Sequence, residues 1–160
     1  MIDKDILLAK AAATRRHLKR VVEKRNVDIE TFIQDIDRQE SILFNLQMAI
    51  QNCIDMAAHI ISEEGLGMPS STSEMFYLLE ENGYLDHAIT EKMIKAVGFR
   101  NIMVHEYGRI DLKQVFQFAQ KDVEDLNKYI AAIFKKLGFA FSRDEYKRGR
   151  GKVTPCHKAS

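Results

Sequence analysis

Apolar residues along this chain recur three and four positions apart, the spacing that lines one face of a helix, rather than in the alternation of a strand. The longest stripe runs through Leu43, Leu46, Ile50, Cys53, Ile54, Ala57, Ile60 and Ile61. It stops at Gly65-Leu66-Gly67-Met68-Pro69, where glycine can take a left-handed turn and proline cannot continue a helix. Asp37, with Glu40 three residues on, reads as the capping box that opens this long helix. An earlier helix is predicted from about Asp5 to Arg25, with Ile6, Ala9, Ala13 and Val21 near one stripe. A short turn of helix follows Asp28, around Phe32 and Ile33.

Beyond the stop, Ser71 and Glu74 repeat the capping-box pattern, and a short helix with Phe76, Leu78 and Leu79 ends at Asn82-Gly83. Asp86 can cap the next helix, which carries Ile89, Met93, Ile94 and Val97 towards Gly108. Asp111, with Gln114 at the box position, opens the last one through Val115, Phe118, Leu126, Tyr129, Ile130 and Ile133. Lys135 and Lys136 suit its C-terminal dipole and Gly138 its end. The chain has two prolines, Pro69 and Pro155, so both long stretches around Pro69 are free of the strongest helix breaker. The pattern predicts an all-α domain over residues 1–138, an antiparallel bundle of long helices with short connections.

Residues 139–160 change character. Arg143, Lys147, Arg148, Arg150, Lys152 and Lys158 face only Asp144 and Glu145, between glycines, which predicts a flexible basic tail. The whole chain of 160 residues is nearly neutral, at +1, so any nucleic-acid site must come from local clustering of charge. Arg16, Arg20 and Lys24 lie four apart on the first helix and read most simply as a solvated face. Cys53 and Cys156 have neither ligand spacing nor a disulfide framework, which fits a reducing, cytoplasmic setting. The start, MIDKDILLAK, lacks the pattern of a signal peptide, and no apolar run approaches the roughly 20 residues of a membrane span.

Chemistry concentrates in Gly98-Phe99-Arg100-Asn101-Ile102-Met103-Val104-His105-Glu106-Tyr107-Gly108. On a continuous helix at about 100° per residue, Arg100, Asn101, His105 and Tyr107 share a sector of about 160°. Asn101 and His105 would be neighbours one turn apart, so the amide could orient the ring, and Arg100 and Tyr107 would lie two turns apart on one side. Arginine is a fixed, bidentate phosphate donor, and histidine can give or take a proton near neutrality. RNA cleavage by attack of a 2′-hydroxyl needs a base, a charge stabiliser and an acid. One motif histidine per chain falls short of two proton-transfer groups, and a two-fold dimer with the motif at its interface would supply both.

This segment resembles the Arg-X4–6-His motif of HEPN domains, and more narrowly the Arg-X4-His-X-Tyr form of HepT toxins. Asn45–Ile61 is similar to that family's long-helix signature, and Gly65–Pro69 and Ile110-Asp111 match in place. The resemblance covers roughly residues 1–138. It implies a four- or five-helix HEPN bundle, a homodimer with the motif helices at a cleft, and a metal-independent toxin endoribonuclease acting on cellular RNA, transfer RNA among the candidates. It implies no cofactor. It also implies a partner, the minimal nucleotidyltransferase antitoxin MntA, which silences the toxin by adding AMP to the motif tyrosine. Carried over by position, Arg100 and His105 become catalytic, Asn101 the supporting polar residue and Tyr107 the modification site. Asp37 is a candidate supporting acid, since HEPN proteins often place a carboxylate near the motif. The basic tail is no part of the pattern.

Two other readings of the sequence stay open: a non-catalytic nucleotide- or RNA-binding subunit that serves a nucleotidyltransferase, and a purely structural helical module. Of the remaining residues, His59 reads as a satisfied structural histidine and Cys53 as a small core residue. His17 and His87 read as surface residues, and Tyr77 and Tyr84 as packing. Cys156-His157 lacks the second pair that a metal site would need.

Overall fold

A computed structural model describes residues 1–105 and 107–139, with Tyr107 described for its backbone alone. Seven α-helices follow one another: α1 Lys4–Lys24, α2 Ile29–Gln34, α3 Ile36–Glu64, α4 Thr72–Glu81, α5 His87–His105, α6 Leu112–Gln117 and α7 Val123–Leu137. A 3₁₀ turn spans Tyr107–Arg109, and a π-helical turn, Phe118–Asp122, joins α6 to α7. No described helix is long and apolar enough to cross a membrane.

Cross-helix contacts fix the topology. Met1 meets Glu63, Asp3 meets His59, Lys10 meets Asp55 and His17 meets Asn45, so α1 runs antiparallel to α3. Arg100 meets Gln51, while Met103 and Ile110 border one groove with Leu43 and Glu40, so α5 also runs antiparallel to α3. Lys95 meets Asp122 and Phe99 meets Phe118, reversing direction again, and Lys4 lies over Phe139, bringing the end of α7 back to the start of α1. The result is the antiparallel bundle that the periodicity implies, up-down-up-down through α1, α3, α5 and α7.

The core sits on α3, where Ile42, Leu46, Ala49, Ile50, Cys53, Met56, Ala57 and Ile60 are fully buried. Each large aliphatic side chain so buried contributes about 1.5–3 kcal/mol relative to exposure. On α1 the buried stripe is Leu7, Ala11, Thr14, Leu18 and Val21, one position round the cylinder from the expected one. Ile6 points outward instead, at 42% exposure. Two adjacent stripes on α1 have similar spacing, and the leucines Leu7 and Leu18 fill more of the interior than Ala9 and Ala13 could.

The N-cap of α3 is Asp35 rather than Asp37. Its carboxylate accepts from the Arg38 N–H at 3.0 Å. Buried Phe32 pins α2, Asp35 then ends α2 and begins α3 at once, and Asp37 falls in the first helical turn. Gln39 closes α2 by donating to the carbonyls of Phe32 and Ile33, both at 2.8 Å. The other predicted caps are made: Ser71 accepts from Glu74 N–H, Asp86 from Ile89 N–H and Asp111 from Lys113 N–H. The box at α4 is displaced by one, since Glu74 reaches the N–H of Ser70. Gly65 and Gly138 end α3 and α7 with φ of 60° and 72°, a left-handed turn that glycine takes without a side-chain clash.

The last helix, expected as one element, contains the π turn. A π turn leaves backbone carbonyls off the usual ladder. The Arg25 guanidinium donates to the carbonyl of Ala119 at 3.0 Å, and the Gln120 amide donates back to the carbonyl of Arg25 at 2.7 Å. This clasp seats Phe118 flat on Phe99, with ring centroids 4.5 Å apart and planes 3° apart. The helical body ends at Gly138, and the basic tail from residue 140 on lies outside the described residues.

Candidate active site

The motif occupies the last turns of α5. Phe99, stacked on Phe118, anchors the helix to the α6–α7 rod, and buried Met103 anchors it to α3. Between these two anchors Arg100 is half-buried and reaches α3, where its Nη2 donates to Oε1 of Gln51 at 2.6 Å. Its Nη1 donates to Oδ1 of Asn101 at 3.2 Å. Arg100 Nε is buried with no acceptor among the described residues. Among the described residues, both of its side-chain hydrogen bonds go to neutral amide oxygens and no carboxylate is paired with it.

His105 is the last residue of α5 and is exposed; no hydrogen bond to its ring is formed among the described residues. Asn101 does not orient it. The amide is turned to Arg100, one residue away, because the guanidinium is the nearer strong donor. α5 ends at His105 and a 3₁₀ turn spans Tyr107–Arg109. The expected alignment of Tyr107 with Arg100 falls on a side chain outside those described.

Asp37 is exposed and lines a shallow hollow with Thr31, Gln34, Asp35 and Ile36. The carboxylate nearer the motif helix is Glu40. It borders a cleft of about 150 Å³ with Leu43, Phe44, Gln47, Met103 and Ile110.

Sequence reasoning missed the polar residues of α3 behind Arg100. Gln51 Nε2 donates to Asp55 Oδ1 at 2.9 Å, and Lys10 Nζ donates to Asp55 Oδ2 at 3.0 Å. The available signal was the i, i+4 spacing of Gln51 and Asp55 beside the apolar stripe of α3.

Other expectations sort cleanly. His59 accepts from the Asp3 N–H at 3.0 Å, a structural role. Cys53 is fully buried, and burial pushes its thiol up to about 12, which leaves it inert. Tyr129 donates to the Cys53 carbonyl at 2.9 Å. His17 is half-buried rather than superficial, bonded to Asn45 at 2.8 Å and edge-on to Phe44. His87 is exposed between Glu80 and Glu91. Tyr84 is half-buried, while Tyr77 is exposed and donates to Glu91. Among the described residues, no three His, Cys, Asp or Glu side chains cluster as a metal site requires. Cys156-His157 lies outside the described residues.

An up-down-up-down bundle that holds an arginine and an exposed histidine at the end of its third long helix is the HEPN architecture. A family model described as ribonuclease HepT-like matches residues 14–133, and the chain belongs to that family. It is 36% identical over 129 residues to the mRNA nuclease HepT of Shewanella oneidensis, covering 81% of this chain and 96% of that one. It is 26% identical over 118 residues to the tRNA nuclease HepT of Aphanizomenon flos-aquae, covering 74% of this chain and 80% of that one. Among solved structures, it superposes with a TM-score of 0.76 and 34% identity on a tri-AMPylated Shewanella oneidensis HEPN toxin in complex with MNT antitoxin, covering 83% of this chain and 99% of that one.

Proposed function

We propose that this chain is the toxin ribonuclease of a two-component module. It cleaves RNA with Arg100 and His105 and is silenced by a nucleotidyltransferase antitoxin that adds AMP to Tyr107. The observation that carries the reading is Arg100 itself: a half-buried guanidinium held by two neutral acceptors, at the end of the helix that presents His105 to solvent. A cation placed that way serves a phosphate, which it can bind bidentately.

In this mechanism Arg100 holds the scissile phosphate. A base takes the proton of the 2′-hydroxyl, the 2′-oxygen bonds to phosphorus, the bond from phosphorus to the 5′-oxygen breaks, and an acid protonates that oxygen. His105 fills one proton-transfer role, and the His105 of a second copy fills the other. A homodimer is supported by Ile102 and Val104, which flank Met103 in the motif and are each 37% exposed. The HepT relatives are named for mRNA in one case and tRNA in another, so the substrate class is cellular RNA and no narrower. Attaching AMP to Tyr107 would add bulk and a phosphodiester charge close in sequence to Arg100 and His105, an internal competitor for the phosphate site. The AMPylated state of the Shewanella toxin supports this form of control.

Arg100→Ala and His105→Ala are each expected to lower RNA cleavage by about 10²–10⁴-fold while leaving the helical circular dichroism intact. Activity in EDTA is expected to match activity without it. Loss on chelation, restored by a divalent ion, would replace this mechanism with a metal-assisted one. Full cleavage by either alanine variant would remove that residue from the catalytic machinery, and a wild-type chain that binds RNA without cutting it would favour the non-catalytic RNA-binding subunit. Tyr107→Phe, co-expressed with the cognate antitoxin, should gain no AMP mass and keep its toxicity; an unchanged AMP adduct would move the modification elsewhere.

A further inference from the structure

Resting on that reading, the geometry points to Gln51 as the residue that positions Arg100, with Asp55 and Lys10 fixing the direction in which its amide faces. Four residues from three helices form one chain of hydrogen bonds: Lys10 on α1, Asp55 and Gln51 on α3, Arg100 on α5. A carboxamide alone is ambiguous, since rotation by half a turn exchanges its oxygen and nitrogen. Here the ambiguity is removed at both ends. An ionised aspartate only accepts, so the Gln51 NH₂ must face Asp55. A guanidinium only donates, so the Gln51 oxygen must face Arg100. Lys10 donates to the other oxygen of Asp55 at 3.0 Å and holds that carboxylate in place.

The charge pattern explains why a glutamine stands there. A carboxylate at position 51 would hold Arg100 as firmly, but it would neutralise the cation and compete with the substrate phosphate. A hydrocarbon would leave the charge and lose the hold. Gln51 supplies an acceptor without a charge, and the negative charge of Asp55 lies one hydrogen bond further off, paired with Lys10. The guanidinium is thereby aligned before substrate arrives. Positioning of this kind reduces the cost of orienting groups in the transition state.

Two isosteric substitutions separate hold from charge. Gln51→Met removes the acceptor and keeps the volume, so kcat should fall about ten- to hundredfold with little change in KM. Gln51→Glu keeps the acceptor and adds a charge, so KM should rise and the salt dependence of RNA binding should weaken by about one phosphate contact. Asp55→Asn, which no longer dictates the amide direction, should fall between wild type and Gln51→Met. A role in packing alone would lower the stability of these variants without separating kcat from KM. Arginine-labelled protein gives a readout that needs no cleavage: NMR should show restricted guanidinium rotation for Arg100 in wild type and in Gln51→Glu, and free rotation in Gln51→Met. Equal rotation in wild type and Gln51→Met would overturn the proposal, as would cleavage by Gln51→Met within twofold of wild type while Arg100→Ala is inactive. If wild type cuts no RNA, the ribonuclease reading fails, and the NMR comparison still decides whether Gln51 positions Arg100.

Discussion

α7 and the end of α5 are both helical, both carry apolar and basic residues, and are built for opposite purposes. In α7 the buried residues Val123, Leu126, Tyr129, Ile130, Ile133 and Phe134 fall on one face, the acidic Glu124 and Asp125 sit in the first turn, and Lys135 and Lys136 sit in the last. The apolar period and the end charges agree with the packing, and the polar group of Tyr129 is satisfied inside. The stretch from Gly98 to His105 does the reverse. Its apolar residues are spread round the cylinder, and Met103 alone among them is buried, while Ile102 and Val104 stay at the surface and Arg100 Nε is buried without an acceptor among the described residues. Where local rules are broken together in this way, the segment serves a site rather than the stability of the chain.

This contrast can be broken in the helix expected to carry stability. Ile130→Ala in α7 should lose about 2–5 kcal/mol in chemical denaturation, because a fully buried side chain leaves a cavity. A loss below about 1 kcal/mol would mean that α7 is not the rigid member of the pair.

A smaller effect on stability, with a larger one on assembly, is expected in α5. Ile102→Glu with Val104→Glu should change the stability of the isolated chain by only about 0.5 kcal/mol per site, as surface substitutions do. Light scattering should then show the mass falling from two chains to one. A double variant that keeps the dimer would place the interface elsewhere, and the exposure of Ile102 and Val104 would then owe nothing to assembly.

The smallest expected effect is at the opposite end of α3 from its glycine stop. The N–H of Arg38 holds the Asp35 carboxyl below its usual range, with the Arg38 and Lys24 charges as lesser causes. A lowered folded value means that the stabilisation is present above the ordinary carboxylate range and is lost as pH falls through the lowered value. Asp35→Asn keeps a capping oxygen without the titration. Its melting temperature should therefore fall less than that of wild type between about pH 5 and pH 2. Parallel acid limbs would remove Asp35 as a source of acid sensitivity.

Much of the fold, and the residues of the candidate site, were legible because they depend on local pattern. Arg100, His105 and Tyr107 stand at a recognisable spacing, and helices, glycine stops and most caps follow from residues within a few positions of one another. What was not legible depends on contacts distant in sequence. Gln51 and Arg100 are 49 positions apart, and Lys10 and Asp55 are 45 apart. The i, i+4 spacing of Gln51 and Asp55 marks a polar pair on α3 but not its partner on α5, while Gln47 borders the cleft by Met103.

The sequence by itself determined an all-α chain, the order of its helices, and the residue types available for phosphate chemistry. It could do so because helix period, capping and glycine stops act over one or two turns. The tertiary structure alone decided which of two near-equivalent stripes on α1 turns inward, which of Asp35 and Asp37 caps α3, and which partner Asn101 takes. Each choice lies between neighbours of similar local preference, and burial of Leu7, of Phe32 and of the Arg100–Gln51 contact breaks the tie. Packing is a property of several helices at once, so it cannot be read from the period of any one of them.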